Sequence, residues 1–336
     1  MATALSYNVA GVREDLTDFL TILEPEDTPK LSMFSKTPRP TQFYQEWQAD
    51  NLLPPLFAGV LEGQDAASFK NAAVNRGRFG NYVQKFQREW AVSDILEASD
   101  VAGVSDEKAN AKTKKMREIK RDIEAALGSD NEMQADNGTV PYLMRGLGKW
   151  VQSTAQSTNP VPTLYLTPSA SIDTTTSTLV TESIFNGVFS SIYEQNGGKR
   201  NYMLFAGPLF KKAVSLFQRV QSTTYAQSYI VTQAADQHQI DLHVDIYNGD
   251  FHNVTVVPDL FNGVSATVQT ASTWVTAQTR MRAYVIDPEL VGVSYMIGLT
   301  NMDLPDQGAG PRGLIKSVPT LMVKNPKGLG KFAGAS

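Results

Sequence analysis

The sequence predicts an α+β fold, and three observations support this prediction. The segment from Ser105 to Leu127 carries apolar residues three and four positions apart, which is the spacing of an amphipathic helix. Strand-like segments lie on both sides of it, and an α/β or α+β region is predicted within residues 141–281. With 336 residues, 42% of them hydrophobic and 19% charged, the chain is long enough for one large domain or two closely associated ones.

Residues 1–57 are predicted to form an extended N-terminal arm. The segment from Arg13 to Leu23 places its apolar residues on one face and predicts a short helix. Five prolines fall between Pro29 and Pro55, and so many prolines disfavour a compact unit. Between them, Gln42 to Trp47 predicts a short strand.

Residues 58–95 are predicted to form a long two-stranded hairpin. Ser68 to Arg78 and Asn81 to Ser93 have strand character, and Phe79-Gly80-Asn81 between them is typical of a turn. The faces of this hairpin are largely polar, so it would be marginal alone. We therefore expect it to need a partner surface, in this chain or in the next one.

Residues 96–140 and 282–336 are predicted to form one domain around the helix 105–127. Ser105 is predicted to cap the start of this helix and Gly128 to end it. The apolar seam of the helix is narrow, so we expect the helix to lie across a sheet or over the surface. Three strands are predicted in the second part, at Arg282–Ile286, Leu290–Ile297 and Ile315–Val323.

Residues 141–281 are predicted to form a second domain, in which charged residues are sparse and Ser and Thr are frequent. Its predicted elements are helices at Glu182–Glu194 and Pro208–Val220, a strand at Tyr202–Ala206, and a hairpin of His243–Tyr247 with Asn253–Pro258. The segment Asn248-Gly249-Asp250 supplies the turn of that hairpin.

The composition excludes several classes of function. The formal net charge is −4 and the pI about 5.5, so any contact with nucleic acid must be local rather than spread over the surface. The chain has no cysteine, which excludes disulfides, thiolate zinc sites and cysteine nucleophiles. No evident signal peptide or membrane span is found, and the expected compartment is the cytoplasm of the producing cell.

Motifs for catalysis and cofactor binding are weak, and we predict no catalytic, cofactor-binding or metal site. Gly308 to Gly313 matches the dinucleotide fingerprint by letter, but no clear helix follows it, so a loop is favoured. The histidines His238, His243 and His252 do not have the spacing of metal ligands.

Several short blocks, in a fixed order along the chain, resemble one known family. The blocks are Arg13–Leu16, Glu24–Ser32, Glu46–Leu52, Glu62–Ala66, Gly80–Phe86, Glu118–Leu127 and Val323–Gly328. Together they resemble the major capsid (major head) proteins of tailed bacteriophages with the Hong Kong 97 fold, in the branch of the SU-ten type. The region from Val161 to Met281 contributes little to this resemblance.

The resemblance implies a structural protein with a named anatomy. Residues 1–57 would be the N-terminal arm and 58–95 the E-loop hairpin. Residues 96–140 and 282–336 would be the peripheral domain with its spine helix, and 141–281 the axial domain. Copies would assemble as pentamers and hexamers into an icosahedral head around double-stranded DNA, in the bacterial host cytoplasm. Scaffolding, portal and decoration proteins are the further partners that the resemblance implies, and no membrane is involved.

Charged side chains are the candidate contacts between subunits. They are Arg76, Arg78, Lys85 and Arg88 on the predicted hairpin, with the acids Glu24, Glu26 and Asp27 in the arm. Between Lys108 and Arg121 there are also seven basic residues against one acid. This run predicts a solvated helix face, a docking surface for a neighbour's acids, or a patch on the inner face near packaged DNA, and docking is slightly favoured over DNA.

Three alternatives remain open from sequence alone. An encapsulin-like cellular compartment would have the same fold with a protein cargo. A different virion protein, such as a tail or sheath component, would form a tube in place of a closed shell. A cytosolic enzyme of unknown type would need a pocket of Asp, Glu and His residues that the sequence does not group.

Overall fold

The computed structural model describes residues 26–55, 57–65, 75–99, 101–176, 180–196, 200–217, 244–250, 252–264 and 277–334. Its helices are α1 (Pro29–Met33), α2 (Asp94–Ala98), α3 (Glu107–Leu127), α4 (Leu147–Trp150), α5 (Glu182–Asn196), α6 (Pro208–Leu216) and α7 (Ala277–Met281). Its strands are β1 (Ser35–Lys36), β2 (Tyr44–Ala49), β3 (Gly77–Tyr82), β4 (Phe86–Ala91), β5 (Ile172–Asp173), β6 (Arg200–Ala206), β7 (Ile246–Asn248), β8 (His252–Pro258), β9 (Ala283–Ile286), β10 (Val291–Leu304), β11 (Arg312–Val323) and β12 (Gly330–Phe332).

A four-stranded sheet has the order β1-β10-β11-β4. Strands β10 and β11 form a long antiparallel hairpin, whose register runs from Val291 opposite Val323 to Leu304 opposite Arg312. The loop between them contains the glycine-rich segment, and the Asp306 carboxylate accepts hydrogen bonds from backbone N–H groups there at 2.8–3.2 Å. The motif therefore leads into a strand and not into a helix, as the loop interpretation predicts.

A six-stranded mixed sheet has the order β5-β12-β9-β6-β8-β7. Its centre is the parallel pair β6–β8, with β9 antiparallel to β6 on the other side. The predicted hairpin around Asn248-Gly249-Asp250 is confirmed, because β7 and β8 pair antiparallel with Asn248 opposite Asn253. Helices α5 and α6 begin at Glu182 and Pro208, where the sequence places them.

Two apolar clusters form the core. The first contains Trp47, Ile119, Trp150 and Leu321, and it joins α3 and the four-stranded sheet to β2. The second contains Phe185 and belongs to the six-stranded sheet with α5 and α6. Strands β9 and β12, which the predicted division assigns to residues 282–336, lie in this second sheet with β6. The chain therefore crosses between the two regions more than once.

The predicted spine helix is present as α3, which at 21 residues is about 32 Å long. The N-cap of α3 is Asp106 and not the predicted Ser105, because the Asp106 carboxylate accepts a hydrogen bond from the N–H of Ala109 at 2.9 Å. Gly128 ends the helix as predicted. The apolar seam is buried only toward the C-terminal half, from Ile119 onward, where α3 lies against the four-stranded sheet.

The predicted hairpin with its turn at Phe79-Gly80-Asn81 is wrong. These three residues lie inside β3, which pairs with β2, while β4 pairs with β11 in another sheet. The physical reason is at Gly80, where an added Cβ would lie 2.3 Å from the backbone oxygen of Gln45. Here the glycine allows the close approach of a neighbouring strand, a role that a sequence cannot distinguish from a turn.

The described part of the arm is tied to the rest of the chain. The strand predicted at Gln42–Trp47 is found as β2, two residues further along. The indole N–H of Trp47 donates a hydrogen bond to the backbone oxygen of Val323 at 2.8 Å. The helix predicted at Arg13–Leu23 lies outside the described residues.

Candidate intersubunit surface

One segment of the chain exposes its apolar side chains instead of burying them. We call residues 51–65 the strap, and its described residues are all exposed and in neither helix nor strand. Leu52 is 90% exposed, Phe57 95% and Leu61 78%. Most isolated apolar residues on a surface need no explanation, but a contiguous set of this size marks a surface that another molecule covers.

Backbone chemistry explains why the strap does not fold by itself. Pro54 and Pro55 lack N–H donors and keep the residues before them extended, so no ladder can pass through this point. Further along, a turn closes where the N–H of Gln64 donates to the oxygen of Leu61 at 3.1 Å, with Gly63 at a φ of +79°. The strap is therefore an extended segment that ends in a tight turn and carries apolar side chains outward.

The arginines predicted as contacts between subunits have partners within this chain. Arg76 lies 3.4 Å from Asp50, and Arg78 pairs with Glu46 on the neighbouring strand β2. One pair joins β3 to β2, and the other joins the residue before β3 to the residue after β2. Side chains already neutralised in this way are poorly suited to carry the main attraction to another subunit.

Arg88 also has a partner within the chain. Both of its hydrogen bonds to the carboxylate of Asp122 on α3 are 2.7 Å long. The hydrogen bond to Asp122 raises the pKa of the Arg88 guanidinium above its ordinary value, and Glu118, 3.8 Å away, adds to this. The residue therefore fixes the spine helix on β4, which sequence analysis did not foresee.

The remaining predicted contacts divide into three cases. Lys85 is exposed between β3 and β4. Glu26 pairs with Arg117 of α3 at 2.8 Å, and Asp27 borders a cavity of about 410 Å³ beside α6. Glu24 lies outside the described residues. Of the seven candidates, the structure brings none of the described ones together into a single site.

The basic run on α3 is partly neutralised by the chain itself. Lys112 lies 3.0 Å from Asp303, and Lys115 lies 2.8 Å from Glu118 on the same helix. Lys114 and Lys120 are exposed. Part of the run is therefore paired within the chain, and part of it is exposed to solvent.

Buried charged side chains are a feature that sequence analysis missed. Arg145 has no exposed surface, and its Nε donates to Glu132 at 2.7 Å while its guanidinium stacks on Trp150 at 4.8 Å. Lys331 is also buried and donates to the backbone oxygen of Gly148 at 3.0 Å. Only the tertiary structure shows that these two residues are buried, because their hydrogen-bond partners lie elsewhere in the sequence.

No cluster of side chains for metal binding emerges in the described part of the chain. Within it, no three His, Asp or Glu side chains converge to hold a metal ion. His252 is buried with its ring stacked on Phe189 at 4.0 Å between centroids, whereas His238 and His243 lie outside the described residues. Across the same described residues, no helix has the length and apolar character needed to cross a membrane.

Comparisons with known proteins identify both the family and the fold. The sequence matches the model of one protein family, SU10 major capsid protein, over residues 2–336. The structure is similar to the capsid of the cyanophage P-SCSP1u, with a TM-score of 0.62, 11% identity, and coverage of 99% of this chain and 97% of that chain.

Two further solved structures lead to the same fold. The structure from Gordonia phage Cozz has a TM-score of 0.58 and 13% identity, and covers 99% of both chains. The capsid of the native GTA particle has a TM-score of 0.58 and 10% identity, and covers 98% of both chains. Among curated proteins, none matches the sequence. The predicted α+β fold of the Hong Kong 97 type is therefore confirmed.

Proposed function

Because this chain belongs to the family of SU10 major capsid proteins, we propose that its copies join through the strap to close the shell of a phage head. The protein is a structural subunit of the capsid, part of the virion, and not an enzyme. Solved structures of similar fold come from capsid assemblies, which agrees with association of many copies into a shell. The alternatives of a cellular compartment and of a cytosolic enzyme have no support in these comparisons.

The observation that carries the proposal is the exposure of the strap. Covering an apolar side chain of the size of Leu or Phe contributes about 1.5–3 kcal/mol relative to leaving it in water. Leu52, Leu53, Phe57 and Leu61 are all well over half exposed in one chain. A neighbouring copy that covers them would supply much of the attraction that a stable contact between subunits requires.

The predicted charged contacts take a secondary place in this proposal. Arg78 and Arg88 are engaged with Glu46 and Asp122 of their own chain. Exposed pairs of this type contribute little energy, and rearranging them toward a neighbour would gain little. Lys85, which is exposed, is the member of the predicted set best placed to act between subunits.

We propose to divide the chain as the sequence does, with two modifications. Residues 96–140 and 282–336 form the peripheral part around α3, and residues 141–281 the axial part, with β9 and β12 shared through the six-stranded sheet. The sequence assigns residues 58–95 to the hairpin that extends toward a neighbour. We propose that this extension begins at the strap and ends before β3. The support is that residues 77–82 and 86–91 pair within two different sheets of this chain.

Further partners follow from the resemblance and stay proposals. Pentamers and hexamers would form through the axial parts, with double-stranded DNA on the inner face of the shell. Lys114 and Lys120 are exposed cations on α3 that would suit local contact with phosphates. Scaffolding, portal and decoration proteins would join during assembly in the cytoplasm of the bacterial host.

Imaging of the expressed protein tests this function. We would express the full chain and examine the high-molecular-weight fraction by electron cryo-microscopy. Closed shells or capsomer rings are expected. If only monomers appear, the expression is repeated together with the neighbouring genes of the same genome, and monomers in that sample too would contradict self-assembly.

A further inference from the structure

Three charged side chains are buried together where the arm meets α3 and the end of β8. Lys30 and Glu124 have no exposed surface, and Asp259 is 3% exposed. The Lys30 Nζ atom lies 3.4 Å from Glu124 Oε1 and contacts Asp259 Oδ2. One amino group therefore faces two carboxyl groups in a place from which water is largely excluded. None of the charged contacts proposed for assembly involves these residues.

Each member of the cluster is fixed by the backbone around it. The carboxylate of Glu124 accepts hydrogen bonds from the N–H groups of Lys30 and Leu31, at 2.9 and 2.8 Å. The Oδ1 atom of Asp259 accepts one from the N–H of Phe261 at 2.8 Å, which leaves Oδ2 for the lysine. The reacting atoms are thus held in contact, which is the condition under which intramolecular reactions are strongly accelerated.

The space for the lysine depends on a glycine. An added Cβ at Gly128 would lie 2.8 Å from Lys30 Nζ and 2.3 Å from the backbone oxygen of Phe261. The amino group of Lys30 therefore occupies a space that a side chain at position 128 would fill. Next to it, the rings of Phe34 and Phe205 meet edge to face with centroids 5.6 Å apart, and both belong to the first apolar cluster.

Burial in these surroundings favours neutral species over charged ones. Burial raises the pKa of Glu124, and the nearby Asp259 carboxylate raises it further, while Lys30 acts in the opposite direction. A buried ion pair stays costly because its members have lost their hydration. Converting the ammonium and the carboxylate into one neutral amide removes that cost.

We propose that Lys30 Nζ and Asp259 Cγ form an amide bond within the chain, an isopeptide cross-link, with Glu124 moving the protons. Glu124 takes a proton from the lysine ammonium, and the neutral amine attacks Cγ of Asp259. The N–H of Phe261 stabilises the charge that develops on Oδ1. The bond from Cγ to Oδ2 then breaks, and Oδ2 leaves as water.

The reaction balances without any oxidant, reductant or further reactant. Two of the three ammonium protons leave with Oδ2 as water, the third stays on the amide nitrogen, and Glu124 ends as it began. The cavity beside Asp259 gives the water a route out. The bond would join the arm to the loop after β8, and such a long-range link stabilises mainly by restricting the unfolded chain. All three side chains belong to one chain, so the link should form whether or not a shell assembles.

The mass of the intact protein tests the proposal directly. The full chain, shown by circular dichroism to be folded, is expected to weigh less than its sequence by one water molecule. Proteolysis should yield one branched product that contains Lys30 and Asp259. If the folded protein has the mass of its sequence, in both assembled and unassembled fractions, the proposal is overturned. Lys30 then remains in a buried ion pair.

Four variants make the assignment specific. Lys30→Arg should keep the sequence mass, and Asp259→Asn should lose one ammonia in place of one water. Glu124→Gln should fold but remain unlinked, and complete linkage in it would remove Glu124 from the reaction. Lys331→Arg is the matched control, because that buried lysine donates to the backbone oxygen of Gly148, and its replacement should leave the mass deficit unchanged.

Discussion

The strap and the buried joint around Lys30 depart from the usual distribution of side chains in opposite ways. Apolar residues such as Leu52 and Phe57 are exposed in the strap, whereas Lys30, Glu124 and Asp259 are buried in the joint. Apolar side chains normally lie inside and charged ones outside. A departure in either direction is costly unless something compensates for it.

The difference between the two regions lies in where the compensation comes from. In the joint, each charge meets an opposite charge or a backbone N–H group of the same chain. In the strap, the part of the chain that the structure describes supplies no cover for the apolar side chains. The joint is therefore complete in one subunit, and the strap becomes complete only in an assembly. Changes in the joint should alter stability, and changes in the strap should alter association.

The largest expected effect comes from making the strap polar. The combined substitution Leu52→Ser, Leu53→Ser, Phe57→Ser and Leu61→Ser should abolish shell formation, because the apolar area covered by the neighbour is lost. The folded subunit should keep its thermal stability, since these side chains contact solvent in the isolated chain. Size-exclusion chromatography and electron microscopy measure the first effect, and calorimetry the second.

The matched control for that variant changes polar residues of the same segment. Asn51→Ser with Glu62→Gln keeps every apolar side chain of the strap and should assemble normally. Shells formed by the four-residue variant at the yield of the natural sequence would show that the strap is not the contact.

A smaller effect, confined to stability, is expected in the joint. Lys30→Met removes the amine that the proposed cross-link requires and leaves the carboxylates of Glu124 and Asp259 buried without a cation. The second change alone should lower the free energy of unfolding by about 3–5 kcal/mol, and loss of the link would add to this. Because the pKa of Glu124 is raised in the folded state, the folded variant binds protons more readily than the unfolded one. Part of the loss should therefore be recovered on acidification. Denaturant unfolding at two pH values measures this, and an unchanged midpoint would contradict the account of the joint.

Lys331 gives a third test, in which the free energy of unfolding depends on pH. Burial lowers the pKa of Lys331 to about 8 from an ordinary 10.5, an effect partly offset by Asp130. Between these values the unfolded state holds more protons, so stability should rise with pH by about 1.4 kcal/mol per unit at most. In the variant Lys331→Met, this increase of stability with pH should be absent. Parallel slopes for the two proteins in denaturant titrations between about pH 7 and about pH 9.5 would contradict the assignment.

The smallest effect is expected from the charged strand next to the strap. Arg76→Glu with Arg78→Glu breaks two exposed pairs, to Asp50 and Glu46, and exposed pairs of this kind contribute about 0–1 kcal/mol. Shell yield should stay close to that of the natural sequence. A complete loss of shells, with the subunit still folded, would return the charged contacts to the centre of assembly.

Much of the fold is predictable from local patterns. The spine helix, the helices at Glu182 and Pro208, and the hairpin at Asn248-Gly249-Asp250 all follow from periodicity, caps and turn residues. The strand partners of β3 and β4 do not follow, because pairing depends on residues far away in the sequence. Gly80 illustrates this, since glycine is compatible both with a turn and with a tightly approached strand.

The candidate surface is less predictable than the fold. The charged residues chosen from the sequence are polar enough for an interface, but their partners within the chain become visible only in the structure. The strap offered a signal that the prediction did not use, an apolar run around Pro54 and Pro55 with neither helical nor strand periodicity. The buried joint gives no local signal, because Lys30, Glu124 and Asp259 are far apart in the sequence.

The contact proposed for the strap can be seen in an electron cryo-microscopy map of the assembled shell, at a resolution that shows side chains. We expect residues 51–65 to lie against a neighbouring subunit, with Leu52, Phe57 and Leu61 buried in that contact. A closed shell in which these side chains remain in solvent, or fold back on their own subunit, would contradict the account and require another surface to hold the subunits together.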